Sequence, residues 1–516
     1  MSSKNSKYIL AKYDVSGIQD YIFATNRLRE NAGASYQVTR VLDEYLVEAF
    51  QEAAVQGEII LDWSVEDKFS LPESENIKAE IIYIGGGNAV VLFRDRELFR
   101  KIGERMGMKA AENCQGLSLV VSYIETDLLD FAEDRKRLDD KMSKMKRNMI
   151  RQPVYSPFPV TEQDNTSYQP ITCCMRHGDV VENMTRIQFQ KRTAYKNIRS
   201  FQRLFPTVGN GGDYCYPEAM DQLCRKHGED SYIAIVHIDG NGMGERINRQ
   251  IQEHKTYSEG VPGIRRISKE IARLFQDTYA EVLQALWYRE VFENSDQQDY
   301  EKIVPLRPII LDGDDFTFLC RAELAVPVTT AFMMKLMQKQ RNVTRKITAC
   351  GGIAFVHSHF PFRVAYSIAE ESCSRAKNKW YSQNGREGRE NASCFLDFQI
   401  IKETEAELPA KNKDWQKRPY AINLEDDEIN ENSLRGLYDT LKNIEDWPSG
   451  RLHRIYRTFQ EGEAAMKLLE REFASRGYEI GSLVQGKWQE SPLFDALELR
   501  GLCRMDLLGY FLTEIQ

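Results

Sequence analysis

The sequence predicts an α+β protein built from two ferredoxin-like βαββαβ units, an irregular connector between them and an α-helical C-terminal domain. Three observations carry this. An apolar strand that ends in aspartate and then meets glycine occurs twice, at Tyr8–Asp14 and at Tyr232–Asp239. Each is followed by two apolar segments around a Gly-rich turn, Ile81–Phe93 and Ile309–Leu319, a β-hairpin pattern. The interval from Asp14 to Gly87 nearly equals that from Asp239 to Asp314. Such self-similarity marks one unit written twice.

In order, residues 1–150 form the first unit. Its opening strand leads through Gly17 into a helix, then the hairpin, a helix, a further strand at Leu117–Ile124 and a lysine-bearing helix. Residues 151–230 form the connector, with Pro153, Pro157, Pro159 and Pro170, a Gly-Asn-Gly-Gly run at 209–212 and little periodicity. Residues 231–410 repeat the unit, with the late strand at Lys346–Val356. Residues 411–516 form the helical domain. It opens on a charged, linker-like stretch, Lys411–Glu431, and continues with Leu452, Ile455, Tyr456 and Phe459 on one helical face, with Gly477 as the stop.

Composition narrows the function. The 516 residues are 42% hydrophobic and 28% charged, enough for several cores. The balance of 69 basic and 77 acidic residues, a net charge of −8, excludes a wholesale basic coat for nucleic acid but not a local groove. No apolar run approaches the ~20 residues of a membrane span, and the polar N-terminus lacks the apolar stretch of a signal peptide. The ten cysteines are scattered and read as reduced thiols of a cytoplasmic protein.

The strongest chemical signal is Asp312-Gly313-Asp314-Asp315 inside an apolar hairpin. Adjacent carboxylates near a core repel one another and need a cation. In a ferredoxin-like sheet the hairpin lies beside the first strand, which brings Asp239 to Asp314 and Asp315. Three carboxylates at one sheet end suit Mg²⁺, and two such ions would activate a 3′-hydroxyl and stabilise reaction at an α-phosphate. Gly313 permits the tight turn, and Gly240, Gly242 and Gly244 leave room for a triphosphate near a helix start. Lys377, on a helical segment after the late strand, is placed to reach a β- or γ-phosphate, or else is a solvated helix lysine. The first copy keeps Asp14 but has Gly87 and Asn88 where the second has Asp314 and Asp315. Lys141, Lys144, Lys146, Arg147 and Arg151 form either a solvated helix face or a patch for RNA or protein. Cys174-x-x-His177 and Cys224-x-x-His227, with Cys173 and Cys215 nearby, have the spacing of a structural zinc site. The chain has no Gly-x-Ser-x-Gly elbow, Walker phosphate loop or His-Glu-x-x-His.

These residues resemble a known family. Asp14-Val-Ser-Gly-Ile-Gln-Asp-Tyr-Ile-Phe23, with Arg29 and Gly33-Ala-Ser-Tyr36, is similar to the opening of the first palm domain in the large subunit of type III CRISPR effector complexes. Tyr83-Ile-Gly-Gly-Gly-Asn88 resembles that palm's hairpin. Asp239-Gly-Asn-Gly-Met-Gly244 and Arg307–Asp315 resemble the second palm, and Arg418-Pro419-Tyr420 with the helical tail resembles the region C-terminal to that palm. The resemblance implies a second palm that makes cyclic oligoadenylate from ATP with Mg or Mn once target RNA is bound. Asp239, Asp314 and Asp315 would be metal ligands and catalytic residues, Gly313 the close-approach glycine and Lys377 a triphosphate contact, in a complex with guide RNA and other effector subunits. The family's inter-palm zinc insertion carries Cys-x-x-Cys pairs, where this chain has Cys-x-x-His. Two further departures stand out. The family's Gly-Gly-Asp-Asp is Asp312-Gly-Asp-Asp here, and the chain has no His-Asp dipeptide, so no nuclease activity of that type is expected. Two alternatives remain: a catalytically idle RNA-binding scaffold subunit, and a cyclic-dinucleotide cyclase of the Gly-Gly-Asp-Glu-Phe type, which the duplicated palm disfavours.

Overall fold

The computed structural model describes residues 8–53, 57–64, 68–149, 160–165, 167–196, 214–224, 232–289, 302–340, 346–384, 393–402, 415–424, 432–484 and 487–514. Pro153, Pro157, Pro159, Arg151, the 209–212 run and His227 lie outside them. The chain divides into two compact units. One comprises Met1–Leu204, Met243–Arg273 and Asp312–Asp314, and the other Phe205–Gly242, Leu274–Leu311 and Asp315–Gln516. Among the described residues no helix is long and apolar enough to cross a membrane.

In the first unit, β1 (Tyr8–Ser16) is the buried middle strand. It is followed by α1 (Leu28–Arg40), which runs through a π-helical turn at Val41–Tyr45 into α2 (Leu46–Ala53). The hairpin β2 (Ala79–Gly85) and β3 (Asn88–Phe93), α3 (Arg96–Asn113), β4 (Ser118–Thr126) and α4 (Phe131–Arg147) complete the unit. The sheet order is β2-β3-β1-β4, with a two-residue strand at Ile59–Ile60 beside β2. That is the split βαββαβ order expected from the repeat. Both later helices start where an aspartate accepts a hydrogen bond from an amide of the first turn, Asp95 from Glu97 N at 2.8 Å and Asp130 from Glu133 N at 2.9 Å.

The connector is more ordered than its composition predicts. Strands β5 (Ile171–His177) and β6 (Val180–Thr185) form a hairpin that leads into α5 (Arg186–Lys196). Polar groups organise it, which is why apolar periodicity did not reveal it. Arg192 donates to the fully buried Glu30 of α1 at 2.9 Å and to Glu182 of β6 at 3.0 Å. Gly33 of α1 meets α5 so closely that an added Cβ would lie 1.9 Å from the carbonyl oxygen of Lys191, so only glycine fits there.

Lys191 itself is 2% exposed. Its ammonium donates to the carbonyl of Tyr21 at 2.6 Å and sits 4.2 Å from the Tyr21 ring centroid. Burial pulls its pKa down to about 8, against the opposing pull of Glu30. Between pH 8 and 10 the unfolded chain therefore holds a proton that the folded chain has lost, and stability gains with rising pH. Relative to Lys191→Met, in which this group is absent, the native protein should gain up to about 1.4 kcal/mol per pH unit across that interval. Urea denaturation of both proteins at pH 7, 8, 9 and 10 measures this, and a pH-independent difference would refute it.

In the second unit, β7 (Tyr232–Gly240) occupies the place of β1. Next in the chain come α6 (Met243–Glu253) and α7 (Tyr257–Tyr288), whose residues divide between the units. The hairpin β8 (Leu306–Asp312) and β9 (Asp315–Arg321), α8 (Ala325–Gln338), β10 (Ala349–His357) and α9 (Phe362–Asn384) come after them. Strands β11 (Cys394–Ile400) and β12 (Tyr420–Ile422) extend the sheet to β8-β9-β7-β10-β11-β12. Consecutive glycines in β10 admit a helix on each face. A Cβ on Gly351 would meet Met333 of α8 at 2.8 Å, and one on Gly352 would meet the Ala369 carbonyl oxygen of α9 at 2.0 Å.

The stretch read as a linker, Lys411–Glu431, is built into this unit where it is described. Tyr420–Ile422 is an edge strand, and Arg418 is buried with its guanidinium 2.7 Å from Glu498 and 3.6 Å from Asp495. Charges that looked solvated are paired with acids some eighty residues later. The tail holds α10 (Leu434–Glu445), α11 (Ser449–Glu461), α12 (Glu463–Ser475), α13 (Leu493–Leu499) and α14 (Met505–Glu514). Leu452, Ile455 and Phe459 are buried as the spacing predicts. The helix breaks first at Gly462, at φ +102°, and Gly477, at φ +79°, is the stop of the helix that follows.

Candidate metal and nucleotide site

Antiparallel register sets the site. Strands β7 and β9 pair Asp239 with Asp315, and His237 with Thr317 two residues earlier on β7. Side chains two apart along a strand share a face, so the two pairs form adjacent tiers. The hairpin turn is Gly313-Asp314, with Gly313 at φ +60°. Asp314 therefore occupies the turn immediately before Asp315. In the first unit, the carboxylate of Asp312 accepts from the amides of Gly86 at 3.4 Å and Gly87 at 3.2 Å. The additional acid thus has amide partners of its own.

Lys377, on α9, sits on Asp239, one member of the pair. Its ammonium is 2.5 Å from Oδ2 of Asp239 and donates to the carbonyl of Gly240 at 3.2 Å. Burial works against the charged ammonium, but Asp239 outweighs it by charge and hydrogen bond, and the Lys377 pKa is raised. Asp239 and Asp315 keep about a third of their side-chain surface exposed, 33% and 31%. The oxygens holding this ammonium, a carboxylate and a backbone carbonyl, are the type of donor a hard divalent cation takes. The Lys377 nitrogen stands in for such a cation, and the residues present fit one: Asp239, Asp315 and the Gly240 carbonyl, with Asp314 next in the chain. Among the described residues no three His, Cys, Asp or Glu side chains gather as a metal-ligating group. Gly242, at φ +65°, completes the turn from β7 towards α6.

Sequence reasoning missed His237, Thr317 and Tyr366 at this site. His237 is 4% exposed, with Nδ1 3.0 Å from Thr317 Oγ1 and 3.4 Å from Asp315 Oδ1. Burial pushes its pKa down, but Asp315 chiefly, then Asp239 and Glu370, push harder, and the net shift is upward. Tyr366 of α9 packs edge-on against the imidazole, with centroids 5.6 Å apart. Lys146, read as one charge of a basic stretch, has the matching place in the first unit. The first unit pairs Asp14 with Asn88 in the same strand register, and Lys146 of α4 lies 2.6 Å from Asp14 Oδ1, as Lys377 lies on Asp239. Asn88 instead bonds Tyr83 Oη at 2.7 Å and the Gly86 carbonyl at 3.1 Å. In the basic stretch, Lys141 also has a partner, the Tyr123 carbonyl at 2.6 Å.

The zinc candidates are placed only in part. Cys173 and Cys174 lie in strand β5, where residues three apart do not share a face, and Cys174 is exposed. Cys224 comes directly after a short 3-10 turn, Met220–Leu223.

Residues 232–386 match the family described as Cas10/Cmr2, second palm domain. This stretch is Cas10-like. The chain's fold agrees with that of Csm1 from T. onnurineus, at 12% identity and a TM-score of 0.54 over 98% of this chain and 70% of that one. A Csm1-Csm4 cassette in complex with pppApA aligns at 12% identity and a TM-score of 0.54 over 97% and 70% of the two chains. The cassette in complex with cA3 aligns at 13% identity and a TM-score of 0.52 over the same shares. No curated protein matches the sequence. The Cas10-like palm at 232–386 contains β7, the Asp312–Asp315 hairpin and Lys377.

Proposed function

We propose that the second palm joins ATP through 3′–5′ bonds into cyclic oligoadenylate, as a second messenger of a type III CRISPR or related defence system. The observation that carries this is the cross-strand pairing of Asp239 with Asp315, with the Lys377 ammonium 2.5 Å from Asp239. The palm family and the complexes of Csm1-Csm4 with pppApA and cA3 support it. Mg²⁺ or Mn²⁺ would be held by Asp239, Asp315, the Gly240 carbonyl and Asp314, and would supply 3′-hydroxyl activation and neutralisation of the α-phosphate. The chain's own residues do the rest. Asp239 and Asp315 hold two negative charges at the end of adjacent strands, ready for a cation. Lys377 rides on a long side chain, so that once a cation takes Asp239 its ammonium is free to bind a β- or γ-phosphate. The glycines at 240 and 242 add no side chains of their own at β7's end, where the Trp380 ring stands 3.8 Å from the Cβ position of Gly242. Partners would be target RNA, guide RNA and other effector subunits, including one like Csm4, in the cytoplasm.

The test is incubation of the purified protein with ATP, or with GTP, and Mg²⁺ or Mn²⁺, with and without target RNA and partner subunits, followed by mass analysis of the products. Cyclic adenylates with 3′–5′ bonds are the expected result. A cyclic dinucleotide from GTP, or no product in any arm, would overturn the reading.

A further inference from the structure

The tier behind the carboxylate pair has a defined direction. Thr317 Oγ1 donates to Asp315 Oδ1 at 3.3 Å. A hydroxyl has one hydrogen, so with that hydrogen committed Oγ1 must accept from its other neighbour. That neighbour is His237 Nδ1, 3.0 Å away, which must carry the proton. The chain of donation runs from Nδ1–H to Oγ1–H to Oδ1. The imidazole is fixed by burial at 4% exposure and by the edge-on Tyr366 ring. Thr317 is fully buried. Among the described residues Asp315 Oδ2 has no hydrogen-bond partner, so the relay engages one oxygen and leaves the other open.

We propose that His237 and Thr317 are positioning residues for Asp315: their relay turns its carboxylate so that Oδ2 faces a divalent cation shared with Asp239. This rests on the reading of Asp239 and Asp315 as cation ligands. Groups that orient a metal-binding carboxylate typically change metal affinity by about 10–100-fold when removed. His237 Nδ1 also stands 3.4 Å from Asp315 Oδ1, so the imidazole and the hydroxyl hold the same oxygen together and their losses are coupled.

The experiment is Mn²⁺ titration of the full chain, without nucleotide, followed by the loss of the free-ion electron paramagnetic resonance signal. Circular dichroism melts report folding of each variant. His237→Phe keeps a ring against Tyr366 but has no donor, and Thr317→Val keeps the shape but has no hydroxyl. His237→Phe should weaken Mn²⁺ binding by about tenfold or more, Thr317→Val should weaken it too, and the double variant should lose less than the product of the two single losses. His237→Asn, whose amide can donate from near the Nδ1 position, should recover most of the affinity. Native affinity in both single variants would overturn the relay while leaving the cation site intact, as would losses that multiply in the double variant. Absence of Mn²⁺ binding by the native protein, or unchanged binding by Asp315→Asn, would overturn the cation site and the relay together.

Discussion

Asp239→Asn is expected to lower cyclic-adenylate formation by about a thousandfold or more while leaving the protein folded. A cation at this place would contribute several kcal/mol of charge stabilisation, and each 1.36 kcal/mol is a factor of ten in rate. Asparagine keeps the shape and still accepts the hydrogen bond from Lys377, now 2.5 Å from Asp239 Oδ2. The substitution removes the charge that attracts a divalent ion. Asp315→Asn should behave alike. Product per enzyme, measured by mass spectrometry beside a thermal melt, separates loss of chemistry from loss of fold. Native rates in either variant would show that these acids do not carry the reaction.

Gly352→Ala should be among the most damaging single-methyl changes in the protein. The new Cβ would lie 2.0 Å from the Ala369 carbonyl oxygen, 2.3 Å from the Cys373 amide nitrogen and 3.0 Å from its Cα. All three are backbone atoms of α9, so no side-chain rotation relieves the clash and the helix must move off the sheet. Overpacking typically costs 1–3 kcal/mol where side chains can yield, so about 3 kcal/mol or more is expected here. The displacement would also carry Tyr366 and Lys377 away from β7. Gly244→Ala is the control. It lies in α6 with no atom near its Cβ position, and should be neutral or stabilising by up to about 1 kcal/mol. Denaturant midpoints for the two variants test the contrast, and equal midpoints would overturn it.

Much of this arrangement was legible in the sequence because it depends on local rules. Short apolar runs, the aspartates near the ends of β1 and β7, and Gly313 at a two-residue turn each announce themselves within a few residues. From them the paired sheets and the meeting of Asp239 with the Gly-Asp-Asp hairpin follow by topology. His237 was hidden for the opposite reason. It reads as one polar residue in an apolar strand, and its role depends on Thr317, which only the β7–β9 register places opposite it. Its position two residues before Asp239 was the available signal, since that spacing shares a face. Lys146 was read as one charge of a basic helix, although it corresponds to Lys377 in the other copy. The hairpin of β5 and β6 and the buried Arg418 escaped because ion pairs between distant residues, Arg192 with Glu30 and Arg418 with Glu498, leave no periodic trace.

The two lysine–aspartate pairs also bear on how such a chain tolerates unequal duty between its halves. Asp14 is nearly enclosed, and a lone carboxylate there would be costly, but Lys146 neutralises it from within the same unit. Asn88 next to it is satisfied by Tyr83 and Gly86, and makes no demand on an external ion. The half without the acidic pair therefore balances its strand-end charge within itself. Each strand-end aspartate carries its own tethered ammonium, so what separates the copies electrically is the position opposite it, Asp315 in one and the neutral amide of Asn88 in the other.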